Sequence, residues 1–130
     1  MRWPEMRAVD TATAEHYRWG SGCDGWHLLR GGDLGVIEER MPPGSVEQRH
    51  LHRHARQFFY VLAGQAVLEL DGRLHTLDAG QGLHVPPGCA HQMRNASAAD
   101  LRFLLVSAPH SHGDREPAPP ASMDRREDDR

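Results

Sequence analysis

The sequence predicts an all-β domain, a sandwich or barrel of short strands, and three observations carry that expectation. From about Trp26 to Ala108, short apolar runs are broken every eight to twelve residues by glycine, proline or aspartate, which is how turns punctuate a strand-rich fold. Ala66, Leu68 and Leu70 alternate with Val67 and Glu69, the period of two that marks a strand with one buried face. Asp71-Gly72 follows directly, the pair that best tolerates the positive φ angles of a tight hairpin.

Taken in order, residues 1–25 read as an arm with little helix that packs on the barrel or on a dimer partner. Trp3, Tyr17 and Trp19 are scattered through polar sequence there, and Gly20-Ser21-Gly22 signals a turn. The body, residues 26–108, offers strands at 26–30, 34–41, 46–52, 57–63, 66–71, 73–77, 82–86, 90–95 and 101–107. Pro42-Pro43-Gly44 and Pro86-Pro87-Gly88 are tight breaks, each just before a histidine-bearing strand. Residues 109–130 read as a tail. Glu116-Pro117-Ala118-Pro119-Pro120-Ala121 has no periodicity and Asp124 to Arg130 is almost wholly charged, so the segment cannot bury enough apolar surface to offset its ordering entropy. Disorder, or an appendage laid on the surface, is the expectation for it.

A chain of 130 residues has room for one domain and not for two. Its 18 acidic and 15 basic side chains give a net charge of -3 with no basic stripe, so nucleic acid is not an expected partner. All the basic residues are arginine; without lysine, Schiff-base chemistry is excluded. Cys23 and Cys89 are too few for a disulfide scaffold. Met1 to Arg7 lacks the apolar run of a secretory signal and no stretch is long enough to span a membrane, so the expectation is a soluble cytoplasmic protein. No phosphate-cradling glycine loop appears.

The histidines carry the chemistry. His50 and His52 stand two apart, and on a strand residues i and i+2 point to one face, so both imidazoles can enter the barrel together. His91 follows the second Pro-Pro-Gly break, with inward parity shared by Cys89 and Met93. Gln57, where the chain re-enters an apolar strand, could add a side-chain oxygen; it could equally make only a hydrogen bond and leave three imidazoles to hold the ion. Such donors suit one divalent transition metal ion: iron, manganese, nickel, cobalt or zinc. His54 falls in a charged turn and is expected to be exposed. His84 and His75 alternate with Leu83 and Leu74 and are expected to face outward. His110 and His112 follow the last strand, where they could cover a barrel mouth. Phe58, Tyr60 and Phe103 are expected in the core or the pocket wall, and Tyr60 is the one that could offer a catalytic hydroxyl beside Gln57.

At these positions the chain resembles the cupin superfamily. The first motif, G-x5-H-x-H-x(3,4)-E-x6-G, runs here as Gly44, His50, His52, Gln57 and Gly64. The second, G-x5-P-x-G-x2-H-x3-N, is met by Gly80, Pro86, Gly88, His91 and Asn95. The fifteen residues between the motifs match the short spacing of small single-domain cupins. The resemblance implies a jelly-roll barrel, often dimeric, with His50, His52, His91 and the residue at Gln57 around a metal ion. The departure is Gln57 itself, an amide where the family has glutamate; it leaves the ion's charge uncompensated and removes a candidate general base. The function expected is that of a metal-dependent enzyme, a dioxygenase or an isomerase or epimerase, on a small and anionic oxygen-chelating substrate. The alternative is a metal-dependent binding or sensing module without turnover. A homodimer using the N-terminal arm is also expected, since edge strands otherwise stay open for pairing.

Overall fold

The structure, a computed structural model, describes residues 6–111 and 113–121. Eleven strands are found among them: β1 (Glu15–Trp19), β2 (Cys23–Arg30), β3 (Gly35–Met41), β4 (His50–His52), β5 (Arg56–Ala63), β6 (Gln65–Leu70), β7 (Arg73–Asp78), β8 (Gly82–Val85), β9 (His91–Arg94), β10 (Leu101–Ala108) and β11 (Arg115–Pro117). They form two antiparallel sheets, one ordered β1-β2-β3-β10-β5-β8 and the other β11-β4-β9-β6-β7. No helix among the described residues is long and apolar enough to cross a membrane.

Inward-facing residues of the two sheets meet in a core of Phe59, Phe103, Met41, Leu68, Met93, Leu101, Val61 and Val85, each almost fully buried. Phe103 on β10 lies between Glu39 of β3 and Val61 of β5. Its truncation to alanine should cost the barrel about 3–5 kcal/mol. The β6–β7 hairpin closes as its sequence requires: Asp71 and Gly72 take φ of 50° and 87°, and Leu70 pairs with Arg73.

The structure corrects the sequence reading in several places. The boundary drawn at residue 25 falls inside β2, and within the arm Glu15–Trp19 forms an edge strand of the larger sheet. Trp3 lies outside the described residues. Position 69, expected on the exposed side of β6, is buried because Arg49 caps it: Nε and Nη2 donate to the Glu69 oxygens at 2.7 and 3.1 Å. On β7 the parity is reversed. His75 stands opposite the inward-facing Leu68 and is half-buried, while Leu74 is exposed.

As far as Ala121 the tail is an ordered appendage laid on the barrel. β11 pairs with β4 in register, Arg115 against His52 and Pro117 against His50. The Asp114 carboxylate accepts from the backbone N–H groups of His54 and Ala55, and Arg53 pairs with Glu116. The Ala118 N–H donates to the Arg49 carbonyl. Composition concealed this because backbone pairing and a few charged contacts, rather than apolar burial, hold the segment. The expectation for Asp124 to Arg130 lies outside the described residues.

Candidate metal centre

β4 and β9 bring the three imidazoles together. Along β4, His50 and His52 are buried while Leu51 between them is only partly covered, and His50 pairs directly with His91 of β9. Entry into β9 is set by the turn Pro86-Pro87-Gly88-Cys89, in which Gly88 adopts a φ of 78° and the Cys89 N–H reaches the Pro86 carbonyl. The Gly88 N–H in turn donates to the His52 carbonyl at 2.6 Å, tying the two histidine strands together. Ring centroids stand 5.0 Å apart for His50 and His52, 4.4 Å for His50 and His91, and 6.0 Å for His52 and His91. One ring nitrogen from each falls within 4.8 Å of the others, and all three residues are buried.

Hydrogen bonds orient the rings. His50 Nδ1 lies 2.8 Å from the Gln48 carbonyl and His91 Nδ1 lies 3.0 Å from the Cys89 carbonyl, so in each ring Nδ1 carries the proton and Nε2 keeps its lone pair. His91 Nε2 and His52 Nδ1 are buried with no protein partner. Burial, followed by the proximity of His91, drops the His50 pKa to about 3 and that of His52 to about 4; burial also lowers His91. All three are therefore neutral near pH 7, the state in which an imidazole can ligate.

Gln57, 2% exposed on β5, points inward into the same cavity. Its Nε2 donates to Ser107 Oγ at 3.0 Å, and its Oε1 is buried without a partner. A cluster of neutral nitrogens beside an amide oxygen, with buried acceptor atoms that no protein group satisfies, fits a transition metal ion and would be costly left bare.

Other predicted positions fall elsewhere. β5 buries Gln57, Phe59 and Val61, so Tyr60 faces the opposite side with Phe58 and is not brought to the imidazoles. Parity places them: Gln57 faces in, and residues an odd number of positions away face out. Phe103 is in the core as expected. His54 and His84 are exposed, and Cys89 and Cys23 are free thiols. His110 lines a second cavity, of about 430 Å³, bounded also by His27, Leu29, Ile37 and Ser111; His112 lies outside the described residues. Asn95, a motif position, does not reach the site. It donates to the Met41 and Ala99 carbonyls and so fixes the loop before β10.

Beside the imidazoles lies a cavity of about 270 Å³ whose walls include residues that sequence reasoning missed: Tyr17, Glu39, Glu47 and Arg115. Glu39 accepts a 2.6 Å hydrogen bond from the Tyr17 hydroxyl. Burial pushes its carboxyl up to about 7, against that hydrogen bond and the Arg115 charge. Burial and the neighbouring Glu39 push Glu47 up to about 8, and its Oε2 accepts from the Met93 N–H. Glu47 Oε1 lies 4.0 Å from His50 Nδ1, but with the ring neutral this contact is no ion pair. The one signal available for Glu39 was its parity with Met41, an acid on the buried side of a strand. Glu47 in a loop and Arg115 in an aperiodic segment gave none.

The matching family model is that of the cupin domain, aligned over residues 37–107. Protein SchB of Streptomyces halstedii is 35% identical over 78 residues, 60% of this chain and 55% of that protein. The oxalate-binding protein of Thermotoga maritima is 31% identical over 67 residues, 52% of this chain and 55% of its own length. The chain thus spans about half the length of these curated relatives. The structure of the polyketide cyclase RemF from Streptomyces resistomycificus superposes with a TM-score of 0.76 at 19% identity, covering 92% of this chain and 89% of that one. With a double-layered antiparallel barrel, both histidine motifs in place and more than half of the chain matched, this protein belongs to the cupin family.

Proposed function

We propose that His50, His52 and His91, with Gln57 as an oxygen donor, hold one divalent transition metal ion, and that the chain is a metal-dependent enzyme of the isomerase or dioxygenase type acting on a small, anionic, oxygen-chelating molecule. The observation that carries this reading is the set of buried acceptors without protein partners, His52 Nδ1, His91 Nε2 and Gln57 Oε1, gathered in or beside one cavity. When bound, the ion supplies a Lewis acid to which a substrate's oxygens can be drawn. Arg115 adds positive charge at the wall, Phe59, Leu105 and Trp19 limit water, and Glu39 and Glu47 offer exchangeable protons. Because Gln57 is neutral, the site keeps the full charge of the ion and favours an anion over a neutral ligand.

A binding module without turnover is the second reading, favoured by the name of the Thermotoga relative, an oxalate-binding protein. The reading includes a homodimer: Phe58, Tyr60 and Leu62 form an exposed apolar row on the outer face of β5, and sedimentation checks it.

Calorimetric titration of oxalate into zinc-loaded and chelator-stripped protein tests the site. Binding to the loaded form, lost on stripping and in His91→Ala, is the expected result. Equal binding by the stripped protein would place the anion elsewhere and overturn the reading.

A further inference from the structure

Tyr17, Gly25 and Glu39 stand in one row across three strands: Tyr17 of β1 pairs with Gly25 of β2, and Gly25 pairs with Glu39 of β3. Tyr17 can reach a carboxyl two strands away only because the position between them has no side chain. A Cβ on Gly25 would clash with the hydroxyl end of the Tyr17 ring, at Cζ, the hydroxyl oxygen and Cε1. Gly25 is not among the residues with positive φ, so its backbone does not require glycine; the open space does. Through that gap the tyrosine hydroxyl holds Glu39 in the cavity that His50, His52 and Gln57 also line.

We propose that Glu39 is the proton-transfer group of this site, held in place by Tyr17 across Gly25, and that the substrate class is one with an acidic C–H beside its chelating oxygens, such as a 2-oxo acid. The proposal rests on the reading of the triad as a metal centre. It also answers the departure at Gln57, since an amide cannot take a proton and the cavity supplies a carboxyl from β3 instead. In the step, the C–H bond of the substrate breaks, its electron pair stays on the substrate as the enolate, and the proton bonds to a Glu39 oxygen. Return of a proton to carbon completes an isomerisation with no oxidant or reductant required. The groups that face Glu39 are Tyr17 from β1, Cys23 from β2, Glu47 from the loop before β4 and Arg115 from β11. In the metal-free protein burial raises the carboxyl above the usual carboxylate range, and the Tyr17 hydrogen bond opposes that rise by favouring the charged form that accepts a proton. Tyr17 itself stays protonated, its pKa driven well above the usual phenol range by burial and by the Glu39 charge, and so serves only as donor.

The test uses zinc-loaded full-length protein and pyruvate as the probe, following exchange of the methyl protons for deuterium by proton NMR in D2O. Wild type is expected to accelerate exchange with a rate that rises with pH as the carboxylate form of Glu39 is populated. Glu39→Gln should lose at least 100-fold of that rate while binding zinc and pyruvate as wild type does. Tyr17→Phe removes a bond that favours the charged carboxylate, so the rising limb should move to higher pH. Gly25→Ala, by displacing the tyrosine, should move it the same way, with no added effect in the Tyr17→Phe background. Zinc and pyruvate bound without exchange, or exchange unchanged in Glu39→Gln, would overturn the proposal while leaving the metal site standing. Failure to hold zinc would instead fell the metal reading beneath it. A limb that does not move in Tyr17→Phe would remove Tyr17 and Gly25 from the account of how Glu39 is held.

Discussion

Replacing Gln57 with glutamate restores the family's carboxylate, and the structure says how much it should gain and when. The amide nitrogen donates to Ser107 Oγ at 3.0 Å and the amide oxygen is the buried atom without a partner. In Gln57→Glu the serine can turn its own proton toward one carboxylate oxygen, leaving the other where the amide oxygen stood. A charged donor in place of a neutral one should strengthen the contact with the ion by about 1.5–3 kcal/mol, or roughly 10- to 150-fold in affinity. The cavity opposes part of this. It already holds Glu39 near 7 and Glu47 near 8, so a third carboxyl there is expected to be pushed up and to be protonated in the metal-free protein at neutral pH. Each unit by which its pKa exceeds the ambient pH takes back about 1.4 kcal/mol. The affinity ratio of variant to wild type should therefore be modest at pH 6, climb by up to about tenfold per pH unit, and level off in the alkaline range. Competition with a fluorescent zinc chelator at pH 6, 7, 8 and 9 measures it. A ratio of one at every pH would refute the placing of the Gln57 oxygen on the ion, and a triad of histidines alone would stand in its place.

Two further outcomes follow from the same geometry. Deleting residues 112–130 removes the Asp114 bonds to His54 and Ala55, the Ala118 and Pro119 contacts with Arg49, and β11 itself. These bonds, about 1 kcal/mol each, are largely offset by the entropy of ordering the segment, about 1–2 kcal/mol per residue. The thermal midpoint should fall by only a few degrees while zinc release to excess chelator accelerates; an unchanged release rate would show that β11 does not cover the site. In the metal-free protein, His50 and His52, depressed from 6.5 to about 3 and 4, contribute stability that is full above 6.5 and lost as pH falls. Glu39 and Glu47, raised from 4.5 to about 7 and 8, contribute stability that is full below 4.5 and lost as pH rises through those values. Urea midpoints should reach a broad maximum between about pH 4.5 and 6.5, where the opposing slopes cancel, and fall above it, and Glu39→Gln should flatten the alkaline side; a steady rise to pH 9 would contradict the buried-acid assignment.

The fold was legible because its signals were local. The alternation at Ala66, Leu68 and Leu70, the Asp71-Gly72 pair and the two Pro-Pro-Gly breaks each specify geometry within a few residues, and the structure places strands and turns there. The triad was legible for the same reason, since His50 and His52 share one strand and His91 sits at a fixed distance from its turn. What escaped depends on pairs distant in sequence. Glu69 looks like an exposed residue until Arg49, twenty positions away, covers it. Tyr17 looks like a packing aromatic until Gly25 opens the path to Glu39. β11 carries no periodicity because three residues of backbone pairing leave no pattern in side chains. Tyr60 was misplaced in the wall although parity from Gln57 was available; the aromatic character of the run Phe58 to Tyr60 suggested burial, and two of its three rings face outward.

The most direct test of the metal centre is a calorimetric titration of zinc into the metal-free protein and into His50→Ala, His52→Ala and His91→Ala, at a pH where the imidazoles are neutral. Wild type should bind one ion per chain, and each single variant should lose at least 100-fold in affinity, because every substitution removes a nitrogen that no neighbouring side chain can replace without moving a strand. Binding in His91→Ala as tight as in wild type, or no binding by wild type at all, would contradict it.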